Sequence, residues 1–237
     1  MNNRPSVQLI EHEDAAGLAE GLAFEIGQAI DLALQQRDRA VIVLAGGKTP
    51  MPAYRKLAGQ RRDWSKVSVL PSDERWVDAG HPLRNEDEIA DALQQASGID
   101  LRRLVPAKAE YPPLPAYANS VLADFPQPFD LVLLGMGADA HTASLFPGSE
   151  GLSAAMDLNA EADAFVISPN PLPVEAPHPR ISLGCRRLLN ARRHLIAISG
   201  TRKREVLLEA QQQGQPLRQP ISAFLPPSLN MAIHWSP

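Results

Sequence analysis

The chain has almost no cysteine, no long apolar run and no basic block, and each absence removes a class of function. Cys185 is the single cysteine among 237 residues, so no internal disulfide can form. That usage fits a reducing compartment, and the cytoplasm is the expected setting. Met1 to Ser6 lack the apolar segment of a signal peptide, and no later run is long enough to span a bilayer. The 23 Lys and Arg are outweighed by 27 Asp and Glu, with no extended basic stretch, so nucleic acid is not an expected partner. Neither a His-x-x-x-His pair nor a cysteine pair is present, and Asp139 with His141 makes an incomplete ligand set, so no metal is expected. The phosphate loop spacing Gly-x-x-x-x-Gly-Lys-Ser/Thr and the dinucleotide turn Gly-x-Gly-x-x-Gly are both missing. Ser144 lacks the Gly-x-Ser-x-Gly elbow of a serine nucleophile.

What remains is an ordinary globular composition, 44% apolar, sufficient for one large α/β domain over 1–237, with room for a small lobe built from loop-rich segments. The 22 prolines gather at 112–115, 126–128, 171–179 and 226–227, between periodic segments, where they punctuate loops. Residues 171–179 form the one candidate boundary, and an irregular loop explains them equally well. Leu18, Leu22, Ile26, Ile30 and Leu34 recur every four residues and predict an amphipathic helix over 14–36. Short apolar runs at 7–10, 41–44, 67–70, 131–134, 165–168, 194–198 and 231–235 predict strands. Helices are expected after Pro52, over 86–97, near 115–123, over 184–191 and over 202–212, the last capped by Thr201, with a short one at 221–225. Strands alternating with helices specify an α/β fold, a mostly parallel central sheet with helices on both faces in a Rossmann-like, three-layer arrangement.

Three of these strands end in residues suited to chemistry. After 131–134 come Gly135, Gly137, Asp139 and His141, where an unalternating apolar strand meets solvent. Histidine suits proton transfer near neutrality, although a surface Asp and His in a turn are also common. After 41–44 come Gly46, Gly47, Lys48 and Thr49, then a helix start, and such a turn can hold an anion through its backbone N–H groups or can be merely tight. After 67–70 come Asp73, Glu74 and Arg75, where the planar guanidinium matches an oxyanion, the alternative being a surface ion-pair cluster. Arg180 and Lys203 are further anion candidates, and a lysine in the first turn of a helix is ill-placed unless an anion compensates it. Arg186, Arg187, Arg192 and Arg193 read as solvent-facing charge, and His12, His178, His194 and His234 belong to no constellation.

Taken together, Gly46-Gly-Lys-Thr-Pro50, Asp73-Glu-Arg-Trp-Val77, Leu134 through Gly148, Arg180-Ile-Ser-Leu183 and Gly200-Thr-Arg-Lys203 resemble the 6-phosphogluconolactonase family, within the superfamily that includes the glucosamine-6-phosphate isomerases. The resemblance runs from about Val41 to Leu225. It implies hydrolysis of 6-phospho-D-glucono-1,5-lactone in the pentose phosphate pathway with no required metal or organic cofactor. His141 resembles the base that activates water, and Asp139 a group that shapes or polarises the site. Arg75 resembles the phosphate-binding arginine, with Gly46, Gly47, Lys48, Thr49, Arg180 and Lys203 in support. A monomer or weak homodimer acting on a phosphorylated sugar lactone is the expected form.

The chain departs from the family pattern at four places. Ala45 and Lys48 stand where serines are usual, and Arg84 precedes Asn85 where a serine is common. Ala140 separates Asp139 from His141 where glycine is usual; a left-handed backbone there costs on the order of 1 kcal/mol and threatens to displace the histidine. A phosphosugar isomerase is the enzymatic alternative, disfavoured because Leu145 and Phe146 occupy the stretch where isomerases carry an acidic residue. A non-catalytic sugar-phosphate sensor is the other alternative.

Overall fold

Whether an apolar strand is buried on one face or both decides where its loops emerge, and here the central strands are covered on both sides. The structure, a computed structural model, describes residues 7–174 and 176–237; the leader reading at Met1 to Ser6 lies outside them. Among the described residues, seven parallel strands form the main sheet. In chain order they are β1 (Val7–Glu11), β2 (Ala40–Leu44), β3 (Val67–Pro71), β5 (Asp100–Leu101), β6 (Leu131–Gly135), β9 (His194–Ser199) and β10 (Met231–Ser236). Their spatial order is β1-β10-β9-β6-β2-β3-β5. Helices α1 (Ala15–Arg37), α2 (Met51–Ala58) and α3 (Asn85–Ala92) cover one face. The other is covered by α4 (Ala116–Ala123), α6 (Cys185–Leu189) and α7 (Thr201–Gln213), while α5 (Leu152–Met156) packs within the same core.

Alternate residues of each central strand enter opposite cores. Val43, Val132, Leu134, Ile196 and Ile198 join the core beneath α4, α6 and α7. Ile42, Leu44, Leu131, Leu133 and Leu195 join the core beneath α1, α2 and α3. Both faces being dry, the strands read as unbroken apolar runs. On α1 the predicted stripe is buried at Leu18, Leu22, Ile26 and Ile30, and Asp14 caps the helix by accepting from the Gly17 N–H at 2.8 Å.

A second, three-stranded antiparallel sheet lies beside the first, in the order β4 (Asp73–Arg75), β8 (Arg180–Leu183), β7 (Ala164–Ile167). Its register sets Arg75 directly opposite Arg180. Several sequence expectations change here. The run expected as a strand at 165–168 is β7, in this sheet rather than the parallel one, and Asp73–Arg75, read only as the stretch that follows the strand at 67–70, is itself a strand. The helix expected over 86–97 ends at Ala92, after which the chain continues in turns to Gly98 at φ +89°. Thr201 does not cap α7; Gly200, at φ 90°, occupies the cap, and Thr201 is already helical.

Two expectations about charge also change. Arg187 is buried instead of solvent-facing. Its guanidinium stacks 3.7 Å from the Phe129 ring centroid and donates to the Phe125 and Gln127 carbonyls, closing the proline-rich loop before β6. His12 and His234 do form a constellation: His12 Nε2 lies 3.0 Å from His234 Nδ1, and His234 Nε2 lies 3.6 Å from Glu25. Glu25 is thereby held down to about 2, first by His234, against burial, with Arg193 assisting.

Two measurements test these contacts. Tyr54, fully buried on α2, donates its hydroxyl to the Ala45 carbonyl at 2.8 Å, anchoring the start of the glycine turn after β2. Tyr54→Phe is expected to lower stability by about 1–2 kcal/mol in urea unfolding; an unchanged midpoint would contradict this anchor. A carboxylate depressed in the folded state stabilises above its unfolded value and loses that contribution as pH falls. Stability from Glu25 is therefore expected to disappear between about 4.5 and about 2. Glu25→Gln should flatten the acid limb of the stability profile, and an identical limb in the variant would remove Glu25 from it.

Candidate active site

In an open parallel sheet, ligands bind beyond the carboxyl ends of the strands where the winding direction reverses. The chain winds outward from β2 through β3 to β5 on one side, and from β6 through β9 to β10 on the other. The reversal falls between β2 and β6. The Gly46–Thr49 turn leaves β2 and the Gly137–His141 turn leaves β6, so both open on that crevice. A cleft of about 240 Å³ lies there, lined by Gly46, Gly47, Lys48, Thr49, Arg75, His141, Arg180 and Lys203. Eight of the nine residues singled out in the sequence thus meet in one cavity. The ninth, Asp139, does not line it and is instead bonded to His141.

The Asp139–His141 turn is compact. The Gly137 N–H donates to the His141 carbonyl at 2.9 Å, and His141 Nδ1 lies 2.5 Å from Asp139 Oδ1. A Cβ on Gly137 would overlap both the imidazole and the carboxylate, so only glycine fits. Burial raises the Asp139 carboxyl, but the hydrogen bond and charge of His141 outweigh it and hold the group below its usual range. An ionised carboxylate only accepts, so Nδ1 carries the proton and Nε2 is left as the basic nitrogen. The ring stacks on Phe146, centroids 4.0 Å apart. Ala140 is left-handed at φ 66°, as its position between Asp139 and His141 suggested. It has not displaced the histidine: the methyl is buried and the Ala140 carbonyl accepts from the Ile221 N–H at 3.1 Å.

The cleft is also lined by cations. Arg75 and Arg180 face each other across β4 and β8, and among the described residues the Nε of each is buried without a partner. Buried donors left unpaired are costly, and an oxyanion would satisfy both. Arg180 lies 4.8 Å above the Phe146 ring, so one aromatic side chain touches both the imidazole and an arginine. Burial lowers Lys203 from the usual lysine range, with Asp139 pulling the other way. Lys48 is exposed at the rim, and Thr49 Oγ1 lies 3.4 Å from Ser199 Oγ at the end of β9.

Several contacts in and around the site were not legible in the sequence. Asp73 lines the cleft and is buried, accepting from Ser72 Oγ at 2.8 Å and Ser144 Oγ at 2.6 Å. Ser144 is therefore a support for Asp73. Asn85 lines the cleft from the first turn of α3, and Gly46 admits it: a Cβ on Gly46 would overlap the Asn85 amide. The pairing of a bare glycine on one loop with an amide on another leaves no local pattern. His178 packs edge-on to His81, centroids 5.4 Å apart, and is lowered first by burial and then by the charges of His81, Arg180 and Arg75. Among the described residues no group of three or more His, Cys, Asp or Glu could hold a metal ion, and no helix is long and apolar enough to cross a membrane.

Known proteins resemble this chain in both sequence and architecture. The family model for glucosamine-6-phosphate isomerases/6-phosphogluconolactonase matches residues 13–235. A 6-phosphogluconolactonase of Rhizobium meliloti is 32% identical over 228 residues, 95% of this chain and 97% of that one. Another, of Pseudomonas aeruginosa, is 35% identical over 228 residues, 94% and 92% of the two chains. The crystal structure of a 6-phosphogluconolactonase from Shewanella baltica superposes with a TM-score of 0.90 at 30% identity, covering 98% of each chain. Sequence and fold agree over nearly the whole length, and the chain belongs to the 6-phosphogluconolactonase family.

Proposed function

We propose that this chain hydrolyses 6-phospho-D-glucono-1,5-lactone to 6-phospho-D-gluconate, with His141 as general base and the Arg75–Arg180 pair as phosphate anchor. The observation that carries the reading is a single cleft holding both an Asp-oriented imidazole and two guanidinium groups, each with a buried, unpaired Nε–H donor. The relatives named above support the substrate. Gly46, Gly47 and Thr49 supply the turn beside the anion, and Lys48 and Lys203 add positive charge.

The chemistry follows from these groups. His141 Nε2 takes a proton from water as the water oxygen attacks the lactone carbonyl carbon. The carbonyl oxygen becomes an oxyanion, which the cationic wall of the cleft stabilises. Collapse of the tetrahedral intermediate breaks the bond to the ring oxygen, and the imidazolium returns the proton to that oxygen as it becomes a hydroxyl. Asp139 holds the ring in the required tautomer and offsets its transient positive charge. Phosphate binding at a distance fixes the carbonyl before the water, so binding energy from an unreactive group lowers the barrier.

A continuous proton-release assay on freshly generated lactone tests the base. His141→Ala is expected to lose about 10²–10⁴-fold in kcat at unchanged fold, and Asp139→Asn to lose less, in kcat more than in KM. Wild type at the spontaneous rate would reject hydrolysis altogether. Arg75→Ala is expected to reduce the preference for phosphorylated over unphosphorylated lactone by about 10–100-fold, the worth of a charged hydrogen bond. Retention of that preference would take Arg75 out of the phosphate site.

A further inference from the structure

Arg84 stands where the family pattern commonly has serine, yet it adds no charge to the cleft. Its side chain is fully buried and does not line the cavity. A guanidinium has five N–H donors, and here five bonds use them. Nε and an Nη donate to Glu86 Oε2 at 3.0 and 2.7 Å, the other Nη donates to the Val77 and Pro106 carbonyls at 2.9 and 3.1 Å, and the Val105 carbonyl takes the fifth. Arg84 therefore ties together the exit of β4, the loop at 105–106 and the first turn of α3.

The residues on either side of Arg84 are the ones that aim Arg75. An Nη of Arg75 donates to the Leu83 carbonyl at 3.0 Å and to the Asn85 side-chain oxygen. Asn85 in turn donates from Nδ2 to the Asp73 carbonyl at 3.2 Å. Glu74 completes the frame, accepting from the backbone N–H groups of Arg75 at 2.6 Å, Asn85 at 2.9 Å and Glu86 at 2.7 Å. Glu74 and Glu86 are both fully buried, and Arg84 is the fully buried cation bonded to the second of them. Without Arg84 the buried Glu86 would keep only the half-exposed Arg103 at 3.5 Å and the Leu104 and Val105 N–H groups, and the segment that holds it would shift.

We propose that Arg84 is a positioning residue for phosphate recognition, fixing Leu83 and Asn85 from behind the cleft so that the Arg75 guanidinium points at the anion. The proposal rests on the reading of Arg75 as phosphate anchor. A misplacement of about 1 Å in such a group is enough to change rates severalfold or more.

The test is the ratio of kcat/KM for 6-phospho-D-glucono-1,5-lactone to that for D-glucono-1,5-lactone, a quantity independent of the fraction of enzyme that is folded. Arg84→Met is expected to lower this ratio about tenfold, through a raised KM for the phosphorylated lactone. A merely structural Arg84 would lower the melting temperature and the active fraction and leave the ratio where it was, and that result overturns the proposal. Should Arg84→Met not accumulate as folded protein, Arg84→Lys carries the test. It keeps a charge beside Glu86 but loses the ties to the three carbonyls, so a smaller fall is expected, and an unchanged ratio is again fatal. Calorimetric titration with 6-phospho-D-gluconate should show the same order of affinities without turnover. A wild type that shows no preference for the phosphorylated lactone rejects the anchor reading itself, and this inference with it.

Discussion

Everything in the site depends on β2 and β6 being neighbours that feed loops into one crevice. Both strands are buried on both faces, so neither can slide by one residue without exchanging its two apolar sets between separate cores. That rigidity fixes where Gly46 and Gly135 leave the sheet. Loops that begin at fixed points can be short, and short loops hold side chains with little freedom. The 2.5 Å contact between Asp139 and His141, within a turn closed by the Gly137–His141 backbone bond, is the outcome.

The parallel core was legible in the sequence because its cause is local. Unalternating apolar runs mark doubly buried strands, and the four-residue spacing of Leu18, Leu22, Ile26 and Ile30 marks the helix that covers them. The strand-end residues were legible for a related reason, since glycines followed by polar and ionisable residues mark where a buried strand meets solvent. The second sheet was not, because Asp73–Arg75 and Arg180–Leu183 are short and polar at their ends, and their pairing spans over a hundred residues. Arg84 was opaque for a related cause. A charged residue beside a loop reads as exposed, and only the convergence of Val77, Val105, Pro106 and Glu86 around it makes burial possible. Arg187 repeats the lesson with an aromatic face and two carbonyls. In both, the guanidinium's planar set of donors lets it enter the interior where a lysine's single point charge would leave carbonyls unmet.

Ala140 shows how a local penalty can be tolerated. Its left-handed backbone is disfavoured for any residue with a Cβ. The surrounding contacts leave the turn no alternative: Gly137 bonds to it on one side, Ile221 on the other, and its methyl is enclosed in the core. Strain of this kind persists where the neighbours over-determine the geometry, and it sits between the two residues proposed as the base and its orienting partner.

The charge balance of the cleft gives the site its sign. Arg75, Arg180, Lys48 and Lys203 line it together with Asp73, whose carboxylate is already engaged by two serine hydroxyls. Burial and the nearness of Arg75 weaken the hold of Arg180 on its proton, with Asp73 and Glu74 opposing, and burial does the same to Lys203. Cations held close in a partly dry cavity repel one another, and the frame of backbone bonds around Glu74 and Arg84 keeps them there. On the proposed function, a phosphate dianion relieves that repulsion as it binds, a gain that a neutral lactone cannot draw on. On that reading, selectivity for a phosphorylated substrate arises from the mutual repulsion of the lining cations as much as from any single contact the phosphate makes.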